Sequence, residues 1–350
     1  MQPAQPAMSP QATTPHFKRL LTSSLAGAQA PARHTARKNA RHRRISRNRR
    51  GLRLRRPAGR RGPGSLGFAA AKRGEEAMAE AGRIRAGVGG WTFEPWRGVF
   101  YPKGLKQAAE LEYASRHLTA IEINGTYYST FKPDSFAKWR AATPDGFKFT
   151  VKASRFCTNR KVLADMGQSM QVFLNQGLVE LGDRLGPILW QFMGTKKFEP
   201  DDFEGFLKLL PSKLEGLPLA HVVEPRHASF KDPAFVALCR KYGVAICLAD
   251  HATYPLIPDV AGDVVYARLQ AGSDEIETAY PPAEIDRWAE RLQTYAEGGA
   301  PADLPRIAAE GEAPQRPREV FAFFIHEGKV RAPAAAMALL ERVGQAPAEA

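Results

Sequence analysis

The sequence predicts one (β/α)8 barrel of the TIM type, a single domain over residues 78–350, preceded by a disordered basic extension over 1–77. Three observations predict it. From Ile84 onward eight short apolar runs alternate with stretches of helical period, polar residues gather where those runs end, and the composition changes abruptly near Met78.

The extension comes first. Residues 1–77 hold 18 of the 50 Lys and Arg but two of the 36 acids, Glu75 and Glu76, so the remaining 273 residues carry 32 bases against 34 acids. The net charge of +14 therefore belongs to the extension, and the barrel itself is nearly neutral. The global charge is no argument for nucleic-acid binding by the barrel. Rich in Ala, Pro, Gly and Arg and without periodicity, the extension buries too little apolar surface to offset its ordering entropy. Three readings compete for it: a basic arm centred on Arg41–Arg56, an Arg-rich targeting peptide, or a segment never made because translation starts at Met78. The third is favoured, because the patterned sequence begins just after Met78.

The elements follow in order. Candidate strands are Ile84–Gly89, Thr119–Asn124, Phe147–Lys152, Pro187–Phe192, His221–Glu224, Val244–Asp250, Val264–Leu269 and Val320–Ile325. Between them, apolar residues recur at i, i+3, i+4 and i+7. One stripe is Met170, Phe173, Leu174 and Leu181, and a second is Phe203, Phe206, Leu207 and Leu210. A third, Phe235, Leu238, Cys239 and Tyr242, is bounded by Asp232 as N-cap, Pro233 at N1 and Gly243 beyond the end. Ile285, Trp288, Ala289 and Leu292 make a fourth, and Leu339, Leu340 and Val343 close the chain. Strict alternation argues for a parallel sheet covered by helices, and eight units match a closed barrel. An open doubly wound sheet needs a Gly-rich nucleotide turn, and Gly87-Val88-Gly89-Gly90-Trp91 lacks its third glycine.

Other classes are excluded or disfavoured. No apolar run reaches the roughly 18 residues that span a bilayer. Cys157, Cys239 and Cys247 lack CxxC spacing and read as buried thiols in a reducing compartment, so a cytoplasmic protein is expected. Neither GxSxG nor a Ser-His-Asp order supports acyl transfer.

Period-2 alternation gives each strand an inner face. In Ile121-Glu122-Ile123-Asn124 the isoleucines face the helices, which turns Glu122 and Asn124 into the barrel. The same reading places Lys152, Gln191, Glu224 and Asp250 at the ends of strands three to six, and Tyr266 and Arg268 on strand seven, with Arg226 and His227 directly after Glu224. C-terminal strand ends are where barrel enzymes keep their chemistry. A ring of buried charges is costly unless paired, so it needs a reason. The structural reason is an ion-pair network closing the barrel top, with Glu224–Arg226 and Glu122–Lys152 as partners. The functional reason is a pocket for a small anionic molecule, with Glu224, Glu122 and Asp250 as catalytic acids or bases. Asn124, Lys152, Gln191, Arg226, His227, Tyr266 and Arg268 would bind the ligand.

No cofactor is expected. A divalent metal held by His227, His251 and Asp250 with Glu122 and Glu224 is the weaker alternative, since no HxH or HExxH spacing supports it. Trp91, Phe93, Trp96, Phe100 and Tyr101, and then Tyr127, Tyr128 and Phe131, read as loop packing ahead of base or sugar stacking.

These residues also carry a resemblance to a known family, the YecE-like proteins of domain of unknown function 72. GVGGWTFEPWRGVFYP resembles the family's opening motif, AIEINGTYYS its Glu-Ile-Asn element, and FKFTVKAS the segment with its lysine, here Lys152. LGDRLGPILWQF, VEPRHASF and VVYARLQAG are similar to three further segments, bringing in Gln191, then Glu224, Arg226 and His227, then Tyr266 and Arg268. The resemblance runs from Gly87 to about Val343. It implies a β/α barrel similar to the xylose-isomerase-like and endonuclease-IV-like group, and so sugar or phosphoester chemistry by analogy of fold. The chain departs from the pattern at Gln270, where the family often has His, and at Ile325-His326, where it often has Asn-Asn. The expected activity is thus an enzyme acting on a small phosphorylated or carboxylated, sugar- or nucleotide-like substrate. The alternatives are a barrel that binds a ligand or nucleic-acid end without turnover, and a metal-dependent phosphoester hydrolase.

Overall fold

The computed structural model describes residues 82–308 and 314–345. The extension expected over 1–77 and the boundary at Met78 lie outside them. Eight parallel strands close into a barrel in sequence order: β1 Ile84–Gly89, β2 Ala120–Ile123, β3 Lys148–Lys152, β4 Leu185–Gln191, β5 His221–Glu224, β6 Ala245–Asp250, β7 Val264–Ala271 and β8 Glu319–Glu327. The barrel closes where β8 pairs with β1, Ile84 opposite Val320 and Val88 opposite Phe324. A two-stranded hairpin, Lys213–Leu214 with Leu217–Pro218, stands apart from it. Among the described residues no helix is long and apolar enough to cross a membrane.

Alternation divides the core in two. Residues such as Val88, Ile121, Val151, Trp190, Val223, Leu248 and Phe324 face outward and pack under the helices. Ala120, Leu189, Val222, Ala245, Cys247, Tyr266, Phe321, Phe323 and Ile325 fill the barrel interior. Such layers make the interior of a barrel a packed core that leaves chemistry to its mouth. All three cysteines are free and buried, and burial pushes the Cys157 thiol up to about 12.

The helices follow their sequence signals, with Leu210 and Val343 one residue past their helix ends and one larger difference. Pro233–Tyr242 is capped by Asp232, whose Oδ1 accepts from Ala234 N at 2.8 Å, and ends at Gly243 in the left-handed region. Pro200–Leu209, Pro282–Ala296 and Ala332–Arg342 likewise bury their apolar stripes. Leu181, however, does not continue the helix Gly167–Leu174. Gly177 breaks it at φ 116°, and Leu181 lies in the 3-10 segment Leu178–Arg184. The position also requires a glycine sterically, since a Cβ at Gly177 would stand 2.5 Å from the Cα of Pro133.

Candidate functional site

Two buried carboxylates share one guanidinium at the C-terminal mouth. Glu122, last but one on β2, and Glu224, last on β5, are fully buried. Arg268 on β7 reaches both, donating from Nη2 to Glu122 Oε1 at 3.0 Å and from Nη1 to Glu224 Oε2 at 2.6 Å. Tyr266, two residues below on the same inner face, donates its hydroxyl to Glu122 Oε2 at 2.6 Å. On the other side Arg226 Nε donates to Glu224 Oε1 at 2.9 Å. Gln191 Oε1 accepts from Arg226 Nη2 at 2.8 Å and from Arg268 Nη1 at 3.2 Å. Pro225 lets this happen, because it cannot donate to the sheet and ends β5 where Glu224 and Arg226 must both turn to the mouth. Both carboxylates thus have charged partners on every oxygen except the one bonded to Tyr266.

The charges shift one another. Burial alone would raise the Glu122 carboxyl, but Arg268, Lys152 and the two hydrogen bonds outweigh it and hold it below the usual carboxylate range. Burial opposes the Arg268 charge as well, and Glu122 and Glu224 outweigh that, holding the guanidinium above its ordinary value.

Lys152, at the end of β3, is different. It is 7% exposed and has no hydrogen-bond or ion-pair partner among the described residues; its Nζ lies 4.2 Å over the centroid of the Tyr127 ring. Burial and then the Arg268 charge pull its amine down to about 8, against the opposing pull of Glu122 and Glu224. An ordinary lysine titrates near 10.5. Between those two values the unfolded chain holds the proton that the folded one has released, so stability rises with pH across that window. Lys152→Met is therefore expected to remove that rise, and below pH 8 to spare the protein a desolvation cost on the order of 3 kcal/mol. Denaturation midpoints of both proteins across this pH range check it; parallel pH profiles would show the amine to be an ordinary one.

Further polar atoms line the same mouth. Asn124 follows β2 and its amide reaches back to the Glu122 carbonyl at 3.4 Å. Gln270 lies on the inner face of β7 one step above Arg268, is 1% exposed, and neither its Oε1 nor its Nε2 has a partner among the described residues. Tyr254, in the loop after β6, accepts from Arg226 Nη1 at 3.1 Å and stacks on His251 with ring centroids 3.8 Å apart.

Of the residues expected at the site, Glu122, Asn124, Lys152, Gln191, Glu224, Arg226, Tyr266 and Arg268 converge, and two do not. Asp250 shares its face with Ile246 and Leu248, which pack outward, and it accepts from Tyr280 Oη at 2.9 Å under the helix Pro282–Ala296. It cannot serve as acid or base in the mouth. His227 caps the short turn Ala228–Phe230, its Nδ1 accepting from Ser229 N at 3.1 Å, and takes no part in the ring. The expected Glu122–Lys152 ion pair is also replaced, by Arg268 bridging Glu122 and Glu224. Among the described residues no group of three or more His, Cys, Asp or Glu side chains is placed to hold a metal. The aromatic loop after β1 is packing: Trp96 and Tyr101 are buried, and Trp96 Nε1 donates to the Lys329 carbonyl at 2.8 Å.

Tyr254 gave no signal in the sequence, because loop residues follow no alternation. Gln270 did, since it has the parity of Tyr266 and Arg268 two positions further along.

A closed eight-stranded barrel with a preorganised charged cluster at its C-terminal mouth defines a TIM-barrel protein of the kind whose sites are built from strand ends. The chain belongs to the family described as Protein of unknown function DUF72, which matches residues 85–350. It is 28% identical over 134 residues to UPF0759 protein YecE of Escherichia coli (strain K12), a match covering 37% of this chain and 46% of that protein. The chain thus spans about half the length of the curated relatives it matches. Among solved structures, a DUF72 family protein from Thermotoga maritima is 26% identical with a TM-score of 0.54, over 73% of this chain and 96% of that one. Another, from Enterococcus faecalis, has a TM-score of 0.55 at 18% identity, over 75% and 95%.

Proposed function

We propose that the mouth of the barrel binds a small phosphorylated or carboxylated molecule, of sugar- or nucleotide-like size, and acts on it. One observation carries the reading: three cations, Lys152, Arg226 and Arg268, face two carboxylates, and the surplus charge sits on the one amine without a carboxylate of its own. A desolvated surplus cation is stabilised by a bound anion. The orphaned amide of Gln270 adds to this, since an unpaired buried polar group costs about 1–3 kcal/mol that a ligand oxygen or hydroxyl would recover. Glu122 and Glu224 serve here to hold Arg268 and Arg226 in place.

That same saturation of the carboxylates favours a second reading, a binding barrel without turnover. Mass spectrometry of a ligand carried through native purification, with and without incubation, separates the two.

Inorganic phosphate tests the anion site itself. Binding to the folded state alone raises its stability by linkage. Phosphate is expected to raise the melting temperature of the full chain above an equal ionic strength of chloride, and the increment is expected to vanish in Lys152→Met and Arg226→Met. An equal increment in all three proteins would be a general salt effect and would remove the site.

A further inference from the structure

The geometry points to Lys152 as a covalent nucleophile that forms an imine with the carbonyl group of the anionic substrate, which makes that substrate an aldehyde or ketone. The inference rests on the anion-binding reading above and names the class of molecule it would take.

The amine is placed for it. Lys152 stands at the C-terminal end of β3, nearly enclosed, with its Nζ over the Tyr127 ring and within the field of Arg268, Glu122, Glu224 and the half-buried Arg226. The arginines in this cluster hold the carboxylates: Arg268 bridges both and Arg226 takes the second oxygen of Glu224. Neither carboxylate reaches Lys152 closely enough to form an ion pair, so its nitrogen is not held by a partner that attack on a carbonyl would have to displace. The contact it does make, over the Tyr127 ring face, leaves the nitrogen less tightly held than a carboxylate would. Activated lysines are of this kind, desolvated and next to another cation, so that a substantial fraction is unprotonated near neutral pH. Burial and the neighbouring Arg268 have that effect on this side chain, and an amine that titrates at about 8 supplies the lone pair that surface lysines lack.

The step balances without an oxidant or reductant. The Nζ lone pair forms a bond to the carbonyl carbon while the C=O π pair moves to oxygen, and a proton passes from nitrogen to that oxygen. The proton that the ammonium gave to solvent before the attack returns to the resulting hydroxyl, which leaves as water, and the nitrogen lone pair closes the C=N bond. In sum an ammonium and a carbonyl become an iminium and water. The iminium keeps the positive charge where Lys152 carried it, so Glu122 and Glu224 face the same electrostatic environment before and after. Arg226, partly open to the mouth, and the unpaired amide of Gln270 remain for the anionic and hydroxyl groups of the substrate.

The test uses the full chain with dihydroxyacetone phosphate and with pyruvate, each followed by sodium borohydride, which reduces an imine to a stable secondary amine. Peptide mass mapping is expected to find the adduct at Lys152 in preference to all other lysines, at a yield that inorganic phosphate lowers. Lys152→Arg keeps the charge but is not expected to be trapped, and its melting curve confirms that it folds. Adducts spread over surface lysines with no preference for Lys152 would overturn the inference. If phosphate still stabilised the protein in that case, the anion site would stand and the imine alone would fall. Absence of both effects would remove the site together with its chemistry.

Discussion

Arg268→Met is expected to destabilise the barrel by about 3–5 kcal/mol at neutral pH, the usual cost of removing one partner from a buried charge network. The guanidinium is 4% exposed and, among the described residues, is the one group bonded to both Glu122 and Glu224. Without it two buried carboxylates face each other, one left with the Tyr266 hydroxyl and the other with Arg226. The pH dependence should reverse as well. In the natural protein the folded Glu122 carboxyl is held below the ordinary value of 4.5, so its contribution is present above that value and is lost as pH falls through the folded value. In the variant only Lys152 and the Tyr266 hydroxyl still oppose burial, and the carboxyl is expected to rise above its unfolded value. The folded state then binds the proton more readily, and stability grows on acidification toward the ordinary carboxylate range. Urea midpoints for both proteins, from neutral pH down to about 5, measure this. A variant that lost less than about 1 kcal/mol, or whose pH profile ran parallel to that of the natural protein, would show the ring to be solvated and not a buried network.

How far the sequence foretold this ring depends on which physical signal each residue carries. Glu122 was recoverable because isoleucines flank it on both sides, and a carboxylate between two helix-facing residues must point inward. Glu224 and Arg226 were recoverable through Pro225, which ends a strand by chemistry alone. For Asp250 the two signals disagree: its position at a strand end points to the mouth, but its parity does not, since Ile246 and Leu248 share its face and pack outward. The partner of Glu122 was missed for a different reason. Closure of the barrel brings β7 across from β2, so the bond to Arg268 joins residues 146 apart, and nothing local marks it. Lys152 is nearer in sequence to Glu122 and therefore looked like its partner, whereas the barrel sets it over Tyr127. The strands themselves were foretold to within two residues at most ends, because a parallel strand buried on both faces is bounded by where its apolar run stops.

The other large effect is expected in β1, whose glycine-rich end Gly87-Val88-Gly89 joins fold to site. Gly87 pairs with Ala120, and a Cβ at Gly87 would stand 1.7 Å from the Ala120 carbonyl oxygen and 2.7 Å from its carbon. Backbone held in a parallel ladder cannot step aside, so Gly87→Ala must pry β1 from β2 at the place where β2 begins. The cost is expected to be about 3 kcal/mol or more, at the upper end of overpacking substitutions. Gly89 meets different atoms: a Cβ there would stand 2.7 Å from Asn124 Nδ2 and 3.0 Å from Ile325 Cγ2, both ends of side chains. Those can move, so Gly89→Ala is expected to cost no more than about 1–2 kcal/mol. It should instead disturb the mouth, because the Asn124 amide loses its place against the Glu122 carbonyl. Melting curves with and without inorganic phosphate separate the two roles. Gly87→Ala should lower the melting temperature strongly, and whatever folds should keep the phosphate increment. Gly89→Ala should melt close to the natural protein and lose part of the increment. If Gly89→Ala kept the full increment, Asn124 would stand outside the ligand site, and β1 would serve the fold alone.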